Sequence, residues 1–484
     1  MTRVAVIGGG IGGLAVALLL GRRGHSVTVF ERDARAPSGD LDRDFFSWHR
    51  PRTPQSVQPH GLLAPVRTVL MAELPDVYAA MLRMGATERH EFDWFAEHPP
   101  ARVGDEDLVT LQTRRIVLET ALSEAVGREP GVELRRGDPV EGLVVDRGGA
   151  LPRVVGLRAA SGTYRAELVL DAGGRRSRVV RWLAAAGCRE AVVENHGTGI
   201  AYFCRWYRLP CAGPRDPGRV KSGSAADFAI GAVFPSDNGT FAVAVTVSTA
   251  DPTRAALRDP QVFEAVAQSF PAVAAWLALE PEAVSDVHVM AGLDNRWTSL
   301  VDEAGPVVAG LVGVGDAVTH TNPTLGQGVA LALRAGQWVA SHAERAADDA
   351  GAFAEEYHRW AELSLKPWFD AQVMVDGANA ARLGANALEP PGVQAPSAQA
   401  AAAPAETARE KAARSLCAYD DPVVMRARAK VRHLLATPDQ AYGTEEVRTG
   451  VARWLADRPD FEPGPDGPSR EHWESLIDDA QRRE

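Results

Sequence analysis

Residues 4–13 read Val-Ala-Val-Ile-Gly-Gly-Gly-Ile-Gly-Gly, an apolar run that leads directly into a glycine-rich turn. Gly8, Gly10 and Gly13 have the Gly-x-Gly-x-x-Gly spacing, and the apolar stretch Leu14–Gly21 follows as a predicted helix. A strand, a glycine turn and a helix in this order are typical of a dinucleotide-binding βαβ unit. Gly8 permits the tight turn, Gly10 lets the backbone approach a pyrophosphate, and Gly13 lets the helix pack closely.

The second strand of this unit ends in an acid. The apolar run Val27-Thr28-Val29-Phe30 leads into Glu31, about 20 residues after the turn, where a carboxylate accepts hydrogen bonds from an adenosine ribose. The helix N-terminus offers unpaired N–H groups and the positive end of its dipole to the phosphates. Ile11 in the turn and Arg32 beside the acid join the predicted cofactor contacts.

Composition and charge narrow the class of protein. The 484 residues suit two or three domains, and 45% hydrophobic with 24% charged residues describes a globular protein. With 52 basic and 63 acidic residues the net charge is −11, which argues against a nucleic-acid partner. No apolar stretch approaches the roughly 20 residues that span a bilayer, so we expect no integral membrane segment and a cytoplasmic location.

The four cysteines have no zinc-ligand spacing and form no Cys-x-x-Cys pair. We therefore expect free thiols in a reducing compartment and no metal site. They are Cys188, Cys204, Cys211 and Cys417.

Three stretches look like parts of one nucleotide-binding domain. They are residues 1 to about 45, a stretch from Arg114 to Gly174, and the strand and acid-bearing turn Val307–Asp316. Strands that alternate with helices predict a parallel sheet covered on both faces. The fold class is therefore α/β, with a discontinuous Rossmann-like domain.

Between the second and third stretches the pattern becomes that of an inserted antiparallel sheet. Residues 199–209, 228–235 and 241–248 are β-branched, aromatic and partly alternating, with Asp237-Asn238-Gly239-Thr240 as a hairpin signal. Residues 261–279 have apolar positions at helical spacing and predict one helix.

These patterns predict three regions. Residues 1–75, 107–190 and 285–350 form the cofactor domain, residues 76–106 and 191–284 form a substrate-binding β-sheet domain, and residues 351–484 form a helical C-terminal region. A Pro- and Ala-rich loop is predicted at 389–404, and Ser469 is predicted to cap the last helix.

The second informative segment is 313–328, Gly-Val-Gly-Asp-Ala-Val-Thr-His-Thr-Asn-Pro-Thr-Leu-Gly-Gln-Gly. Together with the first glycine turn it resembles the FAD-dependent monooxygenases of the para-hydroxybenzoate hydroxylase and squalene epoxidase type, the single-component flavin monooxygenases. The resemblance implies that Gly315 and Asp316 hold the ribityl chain. It also places a second set beside the isoalloxazine: Pro323, Leu325, Gly326, Gln327 and Gly328.

Elementary chemistry supports the same placement. Asp316 at a strand end can accept hydrogen bonds from ribityl hydroxyls. The N–H groups that follow Gly326 and Gln327 begin a helix, whose dipole favours the negative charge that a flavin gains on reduction. A purely structural glycine turn is the alternative.

Two further segments resemble motifs of the family. Asp171-Ala172-Gly173-Gly174-Arg175-Arg176-Ser177-Arg178 resembles the mid-chain Asp-Gly motif that serves flavin and nicotinamide, but alanine follows the aspartate. Arg115 is similar to the arginine that reaches the ribityl and pyrophosphate region, and its neighbour Arg114 is the competing residue.

Two histidines are possible proton-transfer groups, because imidazole titrates near neutral pH. His60 lies in residues 52–63, which resemble a Pro-Gln-x-x-x-x-His segment of a bacterial subgroup, and His320 lies within the flavin motif. A His60 that caps a helix or fixes its loop is the alternative.

The resemblance implies a reaction in which FAD carries the chemistry. NAD(P)H reduces the flavin, O₂ adds to give a C4a-hydroperoxyflavin, and one oxygen passes to a small organic substrate by hydroxylation or epoxidation. No separate glycine-turn unit for NADPH is visible, so nicotinamide binds transiently or a partner flavin reductase supplies electrons. The flavin halogenases carry a Trp-x-Trp-x-Ile-Pro motif, and no Trp-x-Trp occurs in this sequence. The alternatives are an FAD-dependent reductase or dehydrogenase of the same fold, and a flavoprotein without catalysis.

Aromatic residues of the inserted sheet predict an apolar or aromatic substrate, although such residues also fill sheet cores. The five that we expect to line the pocket are Tyr202, Phe203, Trp206, Phe228 and Phe234.

Overall fold

A computed structural model of the chain describes residues 1–50, 53–385 and 407–482. The predicted Pro- and Ala-rich loop at 389–404 lies outside the described residues. Two units are present. The first comprises Met1–Thr87, Thr113–Thr198 and Asp294–Asp376, and the second comprises Glu88–Gln112, Gly199–Leu293 and the described residues from Gly377 onward.

The strands of the described residues are β1 (Arg3–Ile7), β2 (Ser26–Glu31), β3 (Gly61–Leu62), β4 (Thr87–His90), β5 (Val109–Gln112), β6 (Val132–Arg136), β7 (Val140–Asp146), β8 (Arg153–Ala159), β9 (Gly162–Arg165), β10 (Leu168–Asp171), β11 (Val192–Gly197), β12 (Ile200–Arg208), β13 (Gly223–Ala225), β14 (Ala229–Pro235), β15 (Thr240–Ser248), β16 (Glu282–Ala283), β17 (His288–Met290), β18 (Asp294–Ser299), β19 (Val301–Asp302), β20 (Gly305–Pro306), β21 (Leu311–Gly313) and β22 (Thr319–His320).

The α-helices are α1 (Ile11–Arg22), α2 (Leu41–Phe46), α3 (Ala64–Glu73), α4 (Pro75–Arg83), α5 (Arg115–Arg128), α6 (Val179–Ala185), α7 (Pro260–Ala267), α8 (Pro271–Leu277), α9 (Gly328–His342), α10 (Arg345–Asp348), α11 (Ala350–Ser364), α12 (Lys366–Ala385), α13 (Ala408–Cys417), α14 (Pro422–Arg432), α15 (Pro438–Tyr442), α16 (Glu445–Ala456) and α17 (Arg470–Gln481). None of these described helices is long and apolar enough to cross a membrane.

The first unit is built on a five-stranded parallel sheet in the order β21-β10-β1-β2-β6. The central strand β1 pairs with β2 on one side and with β10 on the other, with Ile7 opposite Phe30 and Asp171. Its side chains from Val4 to Ile7 are buried, as expected of a strand covered on both faces. The structure thus confirms the predicted α/β fold with a Rossmann-like sheet.

The second unit contains the predicted antiparallel sheet, in the order β13-β14-β15-β12-β16 with β17 beside β12. β14 and β15 form a hairpin whose turn is Asp237–Gly239, and Asn238 adopts a left-handed φ of 53° there. Asparagine and glycine tolerate this conformation, which is why the sequence marks the turn.

Residues 261–279 do not form one helix. The structure has two helices, α7 and α8, because Pro271 has no N–H for the hydrogen bond that a continuous helix requires. The apolar spacing itself is confirmed, since Phe263, Val266, Phe270 and Val273 are all fully buried against the sheet.

The helical region beyond residue 350 does not form one body. Its first part, through Asp376, belongs to the first unit, and the described remainder belongs to the second. Packing explains the division, because Phe353 and Tyr357 of α11 are buried and the Tyr357 hydroxyl donates to the Gly313 carbonyl at 2.7 Å. Residues 285–293, predicted in the cofactor domain, fall in the second unit.

The last helix begins as its sequence predicts. Ser469 is the N-cap of α17 and accepts a hydrogen bond from the His472 N–H at 3.2 Å. Trp473 of this helix is fully buried in the core of the second unit and places its ring edge-on against Phe228.

Candidate functional site

The turn between β1 and α1 leaves no room for side chains at two of its glycines. Gly8 has a φ of +100°, and a Cβ there would lie 2.6 Å from the Ala172 carbonyl oxygen. A Cβ on Gly13 would lie 2.0 Å from the carbonyl oxygen of Gly8. Gly10 differs, because a Cβ there would meet nothing within 4 Å. The turn is therefore closed toward the protein and open at Gly10.

The open side is an uncapped helix N-terminus. Gly10 is the N-cap of α1, no side chain caps this end, and the first turn carries no acid. Unpaired N–H groups and the positive dipole end make such a terminus an anion-binding site. A pyrophosphate fits this position. Ile11, the first residue of the helix, is 4% exposed and belongs to the core.

Glu31 is held at the end of β2 by the backbone of the turn. Its two carboxylate oxygens accept from the Gly9 N–H at 2.6 Å and from the Asp33 N–H at 2.8 Å. A carboxylate has about four acceptor sites, so both oxygens can still accept from ribose hydroxyls. The next residue, Arg32, is exposed. The structure therefore brings Glu31 and the glycine turn together.

The second glycine turn follows β21. Gly315 has a φ of +62°, and Asp316 comes directly after it. His320 Nδ1 lies 3.2 Å from an oxygen of Asp316. Burial would raise the pKa of Asp316, but the hydrogen bond and charge of His320, with Arg115 and Arg296, hold the pKa below its ordinary value. Asp316 is thus an anion that can accept further hydrogen bonds.

Small residues bring the two glycine turns side by side. A Cβ on Gly12 of α1 would lie 3.5 Å from the Cβ of Ala332 in α9, and one on Gly315 would lie 3.2 Å from the same atom. Farther along, a Cβ on Gly336 would lie 3.3 Å from the Cβ of Val16. This close packing places the N-terminal halves of both helices together, so one elongated ligand can reach both.

The loop between β22 and α9 has an open side and a buried side. Pro323 and Thr324 are exposed, Leu325 is half-buried, and Gly326 has a left-handed φ of +68°. Gln327 is 3% exposed, and its Oε1 has no hydrogen-bond partner in the described residues. A ligand N–H would satisfy this orphaned oxygen.

The start of α9 completes this side of the site. Its first residue is Gly328, no side chain caps the helix, and no acid lies in its first turn. A Cβ on Gly328 would lie 3.7 Å from an oxygen of Asp316, so this helix start and that carboxylate are neighbours. A ligand can approach Gly10, Glu31 is held beside the same turn by backbone N–H groups, and the Gln327 Oε1 has no partner in the described residues. These residues fit an FAD.

The charge of Arg115 acts on Asp316 and helps to lower its pKa. The Nε of Arg115 donates to Glu119 at 2.8 Å, and Arg50 donates to the other Glu119 oxygen at 2.5 Å. Burial would raise the pKa of Glu119, but these two cations lower it to about 2. Arg114 is fully buried, donates to Asp42 at 2.7 Å and belongs to the packing of α2.

His60 fixes its own loop and is neutral at physiological pH. Burial, followed by the charge of Arg115, lowers the pKa of His60 to about 4. Its Nδ1 lies 2.9 Å from the Gln58 carbonyl oxygen, which can only accept, so the proton is on Nδ1. Nε2 is therefore free of a proton. This geometry matches the alternative in which His60 fixes the loop.

Asp171 turns toward its own loop. Its oxygens accept from the Gly173 N–H at 2.9 Å and from the Ser177 hydroxyl at 2.6 Å. Burial raises the pKa of Asp171 to about 6, although Ser177, Gly173 and Arg296 oppose the rise. Asp171 also lines a mainly apolar cavity of about 270 Å³ within the first unit, together with Trp297 and residues of β21 and α11.

The five aromatic residues of the inserted sheet divide between two environments. Phe203 and Phe228 belong to the buried core between the sheet and its helices, so the expectation that they line a pocket is corrected. Strand alternation puts Tyr202 and Trp206 on the opposite face from Phe203. Phe234 shares that face, because it and Trp206 both pair with Ala242.

Residues 3–99 match the family model described as FAD dependent oxidoreductase. A 38-residue segment is 60% identical to the chloroplastic zeaxanthin epoxidase of Oryza sativa subsp. japonica, and this match spans 8% of the chain and 6% of that relative.

Solved structures share the fold. PqsL of Pseudomonas aeruginosa, described as a probable FAD-dependent monooxygenase, has a TM-score of 0.59 at 20% identity, over 79% of this chain and 96% of that one. The myxobacterial chondrochloren halogenase CndH has a TM-score of 0.53 at 17% identity, over 99% of this chain and 97% of that one.

Residues 3–99 of the protein thus resemble the FAD-dependent oxidoreductases. Its fold is that of the flavin monooxygenases of the para-hydroxybenzoate hydroxylase and squalene epoxidase type, as the motifs in the sequence predict.

Sequence reasoning missed several residues around the site. Arg50 and Glu119 form the ion-pair network with Arg115, and only the four-residue spacing of Arg115 and Glu119 within α5 could have indicated part of it. Asp294 and Arg175 form an ion pair at 2.7 Å, and His320 Nε2 lies 3.8 Å from Asp294. No local pattern marks these contacts, because their partners lie far apart in the chain.

Proposed function

We propose that the protein is a monooxygenase that uses NAD(P)H and O₂ to hydroxylate or epoxidise a small apolar or aromatic molecule. The names of two similar proteins support the reaction type, since PqsL is described as a probable monooxygenase and the rice relative as an epoxidase. The observation that carries the proposal is the buried Gln327 Oε1 in the loop from Pro323 to Gly328, which has no partner in the described residues and which a flavin N–H would satisfy.

When bound, FAD supplies hydride acceptance and oxygen activation. The residues of the chain hold and orient it. The start of α1 receives the pyrophosphate, Glu31 the ribose and Asp316 the ribityl hydroxyls. With the flavin beside this loop, the dipole of the uncapped start of α9 would stabilise negative charge on the reduced ring.

The inserted sheet supplies the surface for the substrate in this proposal. Tyr202 and Phe234 are half-buried on the face opposite the helix-covered core, where aromatic rings can contact an apolar molecule, whereas Trp206 on the same face is fully buried. Exclusion of water from the bound flavin is a further requirement of this reaction, because water at the reacting centre releases the activated oxygen unproductively.

The test uses the purified protein with bound FAD. Anaerobic reduction by NADPH or NADH is followed by mixing with ¹⁸O₂ and a panel of aromatic and polyene compounds. We expect a transient absorbing species before the oxidised flavin spectrum returns, and a product that carries one ¹⁸O atom. If neither NADPH nor NADH reduces the flavin, and addition of a flavin reductase gives full activity, a partner delivers the electrons.

Two alternatives give different results in the same experiment. A reductase or dehydrogenase of the same fold changes the substrate mass by hydrogen atoms and incorporates no ¹⁸O. A halogenase is favoured by one observation, the match of CndH over 99% of the chain against 79% for PqsL. Repetition with bromide would then give a brominated product, which would contradict the proposed oxygen insertion.

A further inference from the structure

A buried carboxylate lies behind the loop from Asn322 to Gly328 in the first unit, which we call the flavin loop. Asp376 on α12 is 2% exposed and accepts four hydrogen bonds. One oxygen accepts from Asn295 Nδ2 at 2.7 Å and from Gln372 Nε2 at 3.0 Å. The other accepts from Asn322 Nδ2 at 2.9 Å and from Thr324 Oγ1 at 3.1 Å. All four donors are neutral.

The geometry of these hydrogen bonds matches a carboxylate that only accepts. The Asn322 backbone N–H donates to Asn295 Oδ1 at 2.7 Å, which fixes that amide and turns its NH₂ group toward Asp376. The Asn322 side chain also donates to Thr324 Oγ1 at 2.6 Å, which leaves the threonine O–H free to donate to Asp376. A protonated carboxyl would place its O–H against donors, whereas a carboxylate accepts all four.

The carboxylate joins three elements of the first unit. Asn295 belongs to β18, and Asn322 and Thr324 flank Pro323 in the loop that precedes α9. Asn322 is fully buried, whereas the neighbouring Pro323 is exposed. Asp376 therefore holds the buried side of the loop whose other side is open.

We propose that Asp376 is the positioning residue of the flavin loop and that its charge lowers the reduction potential of the bound FAD. The inference rests on the proposed function only in that FAD binds at this loop.

Electrostatics explains the effect on potential. Reduction adds negative charge to the flavin, and a buried anion behind its loop disfavours that charge because the protein interior screens it weakly. The start of α9 acts in the opposite direction. Loss of the carboxylate removes one effect that opposes reduction and leaves that of the helix in place.

The test is Asp376→Asn, which keeps the shape of the side chain and removes its charge. The binding constants of oxidised and reduced FAD and the two-electron midpoint potential are measured in the same buffer. We expect the affinity for oxidised FAD to fall about tenfold more than that for reduced FAD, which is a rise in potential of about 30 mV.

Two variants separate charge from packing. Thr324→Val removes one link between the loop and Asp376 but keeps the charge, so we expect weaker FAD binding with an unchanged potential. Asp251→Asn removes a buried carboxylate of the second unit and is expected to change neither quantity. An unchanged or lower potential in Asp376→Asn would overturn the proposal.

A charge-exchange variant covers the case in which Asp376→Asn does not fold. Gln372 is fully buried one helical turn before Asp376, so Gln372→Glu combined with Asp376→Asn keeps a carboxylate in the cluster at a displaced position. We expect a potential above that of the wild type, because the displaced carboxylate no longer accepts from Asn322 and Thr324 of the loop. Equality with the wild type would contradict the proposal. A wild-type protein that binds no FAD would overturn the proposed function as well, and this would be visible before any variant is made.

Discussion

Single atoms determine what the glycine turn tolerates. A Cβ on Gly13 would lie 2.0 Å from a backbone oxygen, which no side-chain rotation can relieve, whereas a Cβ on Gly10 would enter open space. The two glycines therefore have different purposes. Gly13 lets the helix and strand approach each other, and Gly10 keeps the anion site accessible.

Asp316→Ala tests the placement of the ribityl chain. The substitution leaves ribityl hydroxyls without their acceptor, which costs about 1–3 kcal/mol and weakens FAD binding roughly 5- to 150-fold. Fluorescence titration of the apoprotein with FAD measures this loss. Asp302→Ala, which removes an exposed ion pair with Arg189 in the same unit, is the matched control and should bind FAD normally. Equal affinities for both variants would place the ribityl chain elsewhere.

Asp171 makes the stability of the apoprotein depend on pH. Its pKa rises from 3.8 to about 6 on folding, so the folded state keeps a proton that the unfolded state has released. The free energy of unfolding therefore falls as the pH rises from 4 to 6, by about 3 kcal/mol from this group. Below pH 4 the penalty is absent.

Asp171→Asn removes this titration while its amide oxygen can still accept from Gly173. We expect the variant to gain stability relative to the wild type between pH 4 and pH 6, and urea unfolding of the two proteins across that range measures the gain. Parallel curves would show that Asp171 is already ionised in the folded protein.

At the scale of elements, local chemistry predicts the starts and breaks of helices well. Ser469 caps α17 as its position predicts, and Asn238-Gly239 forms the hairpin turn. Pro271 divides the predicted helix at 261–279, although the apolar spacing on both sides of it is correct. Spacing indicates which face is buried, whereas continuity depends on a single missing N–H group.

Trp473→Ala should destabilise the second unit strongly. The ring is fully buried in the core cluster between the sheet and its helices, so its removal leaves a cavity that costs about 3–5 kcal/mol. Chemical denaturation followed by far-UV circular dichroism measures the loss. Ser475→Ala, an exposed position on the same helix, should have almost no effect. A small loss in Trp473→Ala would mean that α17 is not part of the folded core.

At the scale of the whole molecule, six segments alternate between the two units. FAD should stabilise only the first unit, because the predicted cofactor residues all lie there. At 100 times its dissociation constant, the ligand adds about 2.7 kcal/mol to the unit that binds it. Calorimetry should therefore show one transition that rises with FAD and another that does not.

The variant Trp473→Ala assigns these transitions. It should lower the transition that FAD leaves unchanged, since Trp473 belongs to the second unit. If the addition of FAD or the substitution Trp473→Ala shifts both transitions, the two units unfold together.

The sequence predicts the cofactor end of the site far better than the rest. Gly8, Gly13 and Glu31 lie within one βαβ unit, where spacing along the chain determines geometry. Asp376 contacts Asn322 from 54 positions away, and Asn295 from 81, so no local pattern can reveal the cluster. Phe203 and Phe228 illustrate the same limit, because aromatic composition does not tell which face of a sheet is covered.

The order of strands in the parallel sheet has a consequence for how the protein is made. β1 needs β10, which begins at residue 168, and β10 needs β21, which begins at residue 311. During synthesis, the first strand therefore leaves the ribosome long before its neighbour on that side exists. Pairings this distant in sequence form slowly and leave apolar strand edges exposed in the meantime. The parallel sheet, and with it the cofactor site, is therefore incomplete until residue 313 has emerged.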